Sequence, residues 1–123
     1  VSLIIATAID CILPRGKNKT LRFQIMDEDI DVIYNLANHS VYLVMMSSRV
    51  GNDPPVVEKE GNVFAAAEGK VEFIFTGEDT EDLMARSYDA DIIVVDDNTA
   101  REWPAFQGKL AVVATAERGE SGG

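Results

Sequence analysis

The stretch from Gly69 to Asp97, GKVEFIFTGEDTEDLMARSYDADIIVVDD, constrains the fold more than any other part of the chain. In Lys70–Phe75, the apolar Val71, Phe73 and Phe75 alternate with Lys70 and Glu72, and only Ile74 breaks the polar side. A period of 2 predicts a half-buried strand. Thr76 precedes Asp79 at the spacing of a capping box, with Asp in place of the usual Glu, ahead of Leu83 and Met84. Glu78, Asp79, Glu81 and Asp82 crowd the turn that follows, where a helix dipole favours negative charge. Tyr88, Ala90, Ile92 and Val94 then restart the alternation, and Asp96-Asp97-Asn98 supplies turn chemistry at its end. A strand, a short helical turn and a second strand make a connection that crosses from one sheet to another.

The rest of the chain supplies partners for those two strands. Val1–Leu13 is apolar on both faces and reads as one strand, broken by Pro14-Arg15-Gly16. Leu21, Phe23 and Ile25 against Arg22, Gln24 and Met26 predict a clean half-buried strand. Asp27–Asp31 is an acidic turn, followed by a short helical or irregular crossing that carries Ile30, Val32, Ile33 and Leu36. Val41–Met46 is a strand apolar on both faces, and Ser47–Pro55 a long loop. Val56–Lys59 and Val63–Ala67 are short strands about a tight turn at Glu60-Gly61-Asn62. Trp103-Pro104 disfavours a central strand over Arg101–Phe106, and Lys109–Ala116 is the last strand. Seven or eight short strands at this spacing, with one short helical crossing, predict an all-β, Ig-like β-sandwich; a small β-barrel is the alternative.

At 123 residues the chain has the length of a single domain, enough to bury roughly two-thirds of its unfolded surface. The expected organisation is an N-terminal strand over 1–13 that is open to exchange with a neighbour, a sandwich over 14–116 and a polar tail over 117–123. With 21 acidic residues against 11 basic and a net charge of −10, the surface repels nucleic acid. The longest apolar run, Leu3–Ile9, is far too short for a membrane span. It also lacks the basic flank and cleavage site of a signal peptide. The single cysteine, Cys11, excludes an internal disulfide and fits a reducing cytoplasm.

Chemistry is thin. The acidic clusters around Asp27, Glu78 and Asp89 lack the spacing of a calcium loop and are already explained by turns and the helix dipole. Phosphate-binding and nucleophile motifs are absent from the sequence, and a dyad of His39 with Cys11 has no motif behind it. The expectation is therefore a protein that is not an enzyme, with no catalytic residue, metal or cofactor.

The order of motifs nevertheless has a family resemblance. Arg15-Gly16-Lys17 precedes a strand that ends in acids at Leu21–Asp27. Thr76, Asp79, Thr80 and Leu83 form a Thr-x-x-Asp-Thr turn with its leucine, then come Tyr88-Asp89 and a closing strand begun by Gly108-Lys109-Leu110. This pattern, over about residues 14–116, resembles the Ig-like domains of tailed-bacteriophage structural proteins, of the baseplate-upper-protein N-terminal type. It departs at Asp27–Asp31, where that family usually has a glycine-containing turn. The resemblance implies a virion protein of the tail or baseplate, made in the host cytoplasm, with other virion proteins as partners. The matching positions are scaffold, so nothing catalytic carries over.

Strands apolar on both faces sharpen that expectation, because a free domain does not leave a large contiguous apolar sheet face bare. The interface candidates are Leu3, Ile4, Ile5, Tyr42, Val44, Ile93, Val95 and Val113, on a homo-oligomer or against another virion protein, with no direct nucleic acid binding and no membrane insertion. Ser2–Ile12 is the element expected to pair with a neighbour by β-augmentation. A capsid decoration protein has the same chemistry. A receptor- or glycan-binding module instead uses Trp103 and Phe106, although a Trp-Pro pair in a loop more often plugs the end of a sandwich.

Overall fold

In the computed structural model, which describes residues 2–5, 12–48, 50 and 54–114, the alternating segments become strands facing each other across one core. The strands are β1 (Leu3–Ile5), β2 (Ile12–Pro14), β3 (Lys19–Asp27), β4 (Val32–Ile33), β5 (His39–Met46), β6 (Val57–Glu60), β7 (Asn62–Ala65), β8 (Lys70–Phe75), β9 (Ser87–Asp96) and β10 (Glu102–Val113). One sheet runs β1-β3-β8-β7, with β4 beside the end of β3; the other runs β2-β10-β9-β5-β6. Strands β3, β8 and β7 occupy the B, E and D positions of an Ig domain, and β5, β9 and β10 the C, F and G positions. The chain is an all-β, Ig-like sandwich.

Every inward residue expected from alternation on the four central strands is buried. Leu21, Phe23 and Ile25 from β3 and Val71, Phe73 and Phe75 from β8 meet Val41, Leu43 and Met45 from β5 and Tyr88, Ala90, Ile92 and Val94 from β9. Each large side chain removed from water in this way contributes about 1.5–3 kcal/mol. Ile74, which broke the polar side of β8, is 52% exposed, so period outweighs hydrophobicity in placing it.

The connection between β8 and β9 crosses between the sheets as expected, through a single helical turn, α1 (Gly77–Thr80). Asp79 accepts the Thr76 backbone N–H at 2.7 Å, closing the start of the turn. Its carboxylate also pairs with the Lys59 ammonium of β6 at 2.7 Å. The Thr80 side chain, 1% exposed, accepts the Gly16 N–H at 2.9 Å. Asn18 Oδ1 accepts the Gly77 N–H at 3.0 Å, and a Cβ on Gly77 would lie 2.6 Å from the Gly16 carbonyl oxygen. The turn between β2 and β3 is thus hooked onto α1, which joins the Arg15-Gly16-Lys17 and Thr76–Thr80 motifs in one structural unit. Beyond α1, Tyr88 donates its hydroxyl to the Met84 carbonyl at 2.9 Å, the tyrosine corner found at the start of the F strand in Ig-type sandwiches.

Five expectations are corrected. The apolar run at the N-terminus is not one strand: β1 pairs antiparallel with β3 in the first sheet, and β2 pairs parallel with β10 in the second. Leu3 is a core residue at 3% exposure, which removes it from the interface candidates. Cys11 lies outside the described residues. The crossing after the acidic turn is extended rather than helical: Val32 and Ile33 pair with Asp27 and Met26, and only Leu36 is buried. With the split N-terminal run, that short pairing accounts for the higher strand number.

Gly61 does not turn a hairpin either. It carries the chain from β6 in one sheet to β7 in the other, donating its N–H to Val41 at 2.7 Å, and a Cβ there would lie 2.6 Å from Val71 Cγ2. Finally, Trp103-Pro104 lies inside β10. Among the described residues, β2 pairs only with Ala111–Val113 of β10. Asp96 donates its N–H to the Arg101 carbonyl, and the antiparallel alternation then puts Pro104 at a non-hydrogen-bonded pair with Ile93. Its missing N–H therefore takes no bond from the ladder with β9, and a bulge follows between Pro104 and Phe106.

Three outcomes are expected from this scaffold. Leu3→Ala should lower the unfolding free energy by about 2–4 kcal/mol in urea titrations, as a core truncation does; an unchanged midpoint would mean that β1 does not contribute to the fold. Ala100 holds a left-handed φ of 58° in the turn between β9 and β10, so Ala100→Gly should raise stability by about 0.5–1 kcal/mol in the same assay.

The third concerns Asp79. Partial burial opposes its ionisation, but hydrogen bonds from Lys59 and Thr76 prevail and hold its pKa below the usual value. The unfolded chain therefore binds this proton more readily, and stability rises with pH across the interval between the two pKa values. The contribution is complete above about pH 5 and fades as pH falls through the folded pKa. Asp79→Asn should cost about 1–2 kcal/mol at pH 7, and the gap to the parent should narrow in denaturant titrations taken below pH 4.

Candidate functional site

Burying one side of β5 and β9 sends the opposite side of each strand outward. Tyr42 and Val44 leave β5 on the face opposite to Val41 and Leu43, and Ile93 and Val95 leave β9 opposite to Ile92 and Val94. Pairing then assembles these residues. Tyr42 is in register with Ile93, Ser40 with Val95, and Val44 with Asp91. On one flank, Glu60 stands beside Tyr42 and Glu58 beside Val44; on the other, Pro104 stands beside Ile93 and Glu102 beside Val95. Tyr42, Val44, Glu58, Ile93 and Glu102 line one open depression of about 340 Å³.

Four of the sequence candidates, Tyr42, Val44, Ile93 and Val95, therefore form a contiguous half-buried patch. The others do not join it. Val113 is on the same sheet but at the far end of β10, in register with Pro14. Ile5 packs inward against the core beside Ile25, and Ile4 faces outward from the first sheet beside Met26. Strands β1 and β2 thus pair within the chain, and residues 6–11 of the run expected to pair with a neighbour lie outside the described residues.

Electrostatically the patch differs from the outer face of the first sheet. There Arg22 pairs with Glu72 at 3.0 Å, Asn62 donates to the same carboxylate at 3.2 Å, and the Arg22 guanidinium lies 5.8 Å from the Phe64 ring centre. The hydrogen bonds from Arg22 and Asn62 hold Glu72 below the ordinary carboxylate range. Across the second sheet, Lys109 pairs with Asp89 at 2.7 Å, towards the end away from the patch. Around the patch itself, Glu58, Glu60 and Glu102 have no ion-pair partner among the described residues. Sequence reasoning missed this acidic frame because its members come from β6 and β10. Of the three, only Glu58 was expected on a strand; Glu60 was expected in a tight turn and Glu102 in a segment where a central strand was disfavoured.

The aromatic candidates sit elsewhere. Trp103 and Phe106 are in register with Val94 and Ile92, on the core-facing side, and are packed partly against the core. The Trp103 ring is 6.4 Å from that of His39, with the Arg101 guanidinium 5.7 Å from its centre. His39 in turn meets the Tyr34 hydroxyl at 3.1 Å through Nε2 and the Ala37 carbonyl at 2.7 Å through Nδ1, so the neutral ring donates from Nδ1. Burial pushes the Tyr34 hydroxyl pKa up, and the charges of Asp96 and Asp27 push the same way. This cluster closes one end of the sandwich.

The acidic clusters are also spread over local tasks. Asp27 accepts the Asp29 N–H and Asp96 the Asn98 N–H, each capping its own turn, while Asp79 starts α1. Among the described residues, no three of His, Cys, Asp and Glu gather as a group able to hold a metal ion. No protein-family model matches the chain, and no curated protein matches its sequence.

Proposed function

We propose that this chain is a non-enzymatic structural module that assembles with other proteins through the outer face of its second sheet. The supporting observation is that strand pairing gathers Tyr42, Val44, Ile93 and Val95 around one depression of the second sheet, framed by Glu58, Glu60 and Glu102, which have no ion-pair partner among the described residues. An apolar centre with a polar rim is the anatomy of a protein interface. The resemblance carried by Arg15-Gly16-Lys17, Thr76–Thr80 and Tyr88-Asp89 takes the reading further, to a component of a tailed-phage virion, in the tail or baseplate, with other virion proteins and further copies of the chain as neighbours. The net charge of −10 keeps unassembled subunits apart and soluble.

Ile93→Asp tests this reading, because Ile93 is half-buried on the outer face and contributes nothing to the inward stripe. The variant should keep its thermal midpoint within about 5 °C of the parent, given a surface-level cost near 1 kcal/mol. It should nevertheless be missing from particles of the source phage, as read by mass spectrometry of purified virions and by immunogold labelling at the tail tip. Normal incorporation of the variant would remove the face from the assembly role. Absence of the parent chain from particles would overturn the virion reading.

A further inference from the structure

We infer that the depression on the second sheet receives a long cationic side chain, arginine above all, from a different protein. This rests on the assembly role of that face and adds the chemistry of what it binds.

The depression is built from two kinds of wall. Val44 and Ile93 form an apolar floor, with the Tyr42 ring beside them, and Glu58 from β6 and Glu102 from β10 stand on opposite sides. About 340 Å³ is at the lower end of volumes that hold a ligand, a size suited to one or two side chains rather than a cofactor. An arginine or lysine matches each wall. Its methylene stem covers apolar surface while its charged end reaches the polar margin. A guanidinium also stacks on an aromatic ring and pairs with carboxylates through a fixed fork of donors. An acidic or purely apolar side chain would leave both carboxylates unanswered.

The same charges argue against a second copy of the same face. A two-fold contact sets a patch against itself. It would bring Glu58, Glu60 and Glu102 of one copy against those of the other, in chains that each carry −10. Like charges brought together at an interface cost several kcal/mol. The occupant is therefore not the same face of a second copy, and a net charge of −10 on every copy favours a different chain that presents a basic side chain within an apolar surround.

The experiment uses the purified, isotope-labelled chain and two blocked pentapeptides, one with a central arginine between leucines and one with citrulline in its place. Citrulline keeps the shape and removes the charge. The arginine peptide should shift the amide signals of Tyr42, Val44, Glu58, Ile93 and Glu102 saturably and bind about five- to tenfold more tightly than the citrulline peptide. The double variant Glu58→Gln/Glu102→Gln, which removes charge from two exposed positions, should abolish that preference and leave the rest of the spectrum in place. Equal binding of both peptides, shifts confined to other surfaces, or concentration-dependent pairing of the free chain through this face would each overturn the inference. The two readings also separate in particles. If Ile93→Asp is excluded while Glu58→Gln/Glu102→Gln is incorporated normally, the face assembles but does not select a cation. Loss of both variants supports the cationic partner.

Discussion

The crossing between β8 and β9 is the point on which the rest of the structure depends. Two strands that alternate cleanly lie in opposite sheets, and the segment that carries the chain between them is organised by one helical turn, α1. That turn is held from several directions at once. Asp79 answers the Thr76 N–H and the Lys59 ammonium, and Thr80 answers the Gly16 N–H from the turn between β2 and β3. With Thr80 buried, its hydroxyl oxygen needs the hydrogen bond that Gly16 supplies. These few bonds register β3, β6 and β8 at one end of the sandwich, and the tyrosine corner of Tyr88 then aims β9 into the opposite sheet.

Stability and recognition consequently fall on different surfaces. The motif residues that stand out in the sequence, Gly16, Thr76, Asp79, Thr80 and Tyr88, all serve the scaffold. The proposed recognition face contains none of them. It is made of outward residues on β5 and β9, whose inward neighbours supply the core, and of carboxylates from the flanking strands. Such a face can vary its chemistry without disturbing the core, because a strand sends successive side chains to opposite sides.

Alternation made most of the core legible. For β3, β8 and the start of β9 the inward set could be read directly from a period of 2, whereas β5 is apolar on both faces and takes its inward side from its neighbours. The reading weakened wherever that period was absent or shared. The N-terminal run is apolar on both faces with only weak alternation, so no clean period marked that β1 and β2 belong to different sheets. Gly61 looked like the tip of a hairpin, and only the closeness of Val71 shows that it lies between sheets. Trp103-Pro104 argued for a loop because a proline N–H is missed only where a neighbour would have used it. Here the pairing alternation turns that nitrogen away from β9, so the proline takes no bond from that ladder.

The sequence by itself determined the class of fold, the capped crossing and which side of each cleanly alternating strand faces inward. These follow from local spacing, and local spacing is written along the chain. Only the tertiary structure decided which strands became neighbours. Val95 and Glu102 are brought side by side by a turn, but Glu58 meets Val44, and Tyr42 meets Ile93, across long stretches of chain. An interface candidate such as Leu3 became core, and Tyr42, Val44, Ile93 and Val95 became one patch with an acidic frame. Pairing between distant strands is settled by the joint burial of both sheets, and no spacing within a single segment records it.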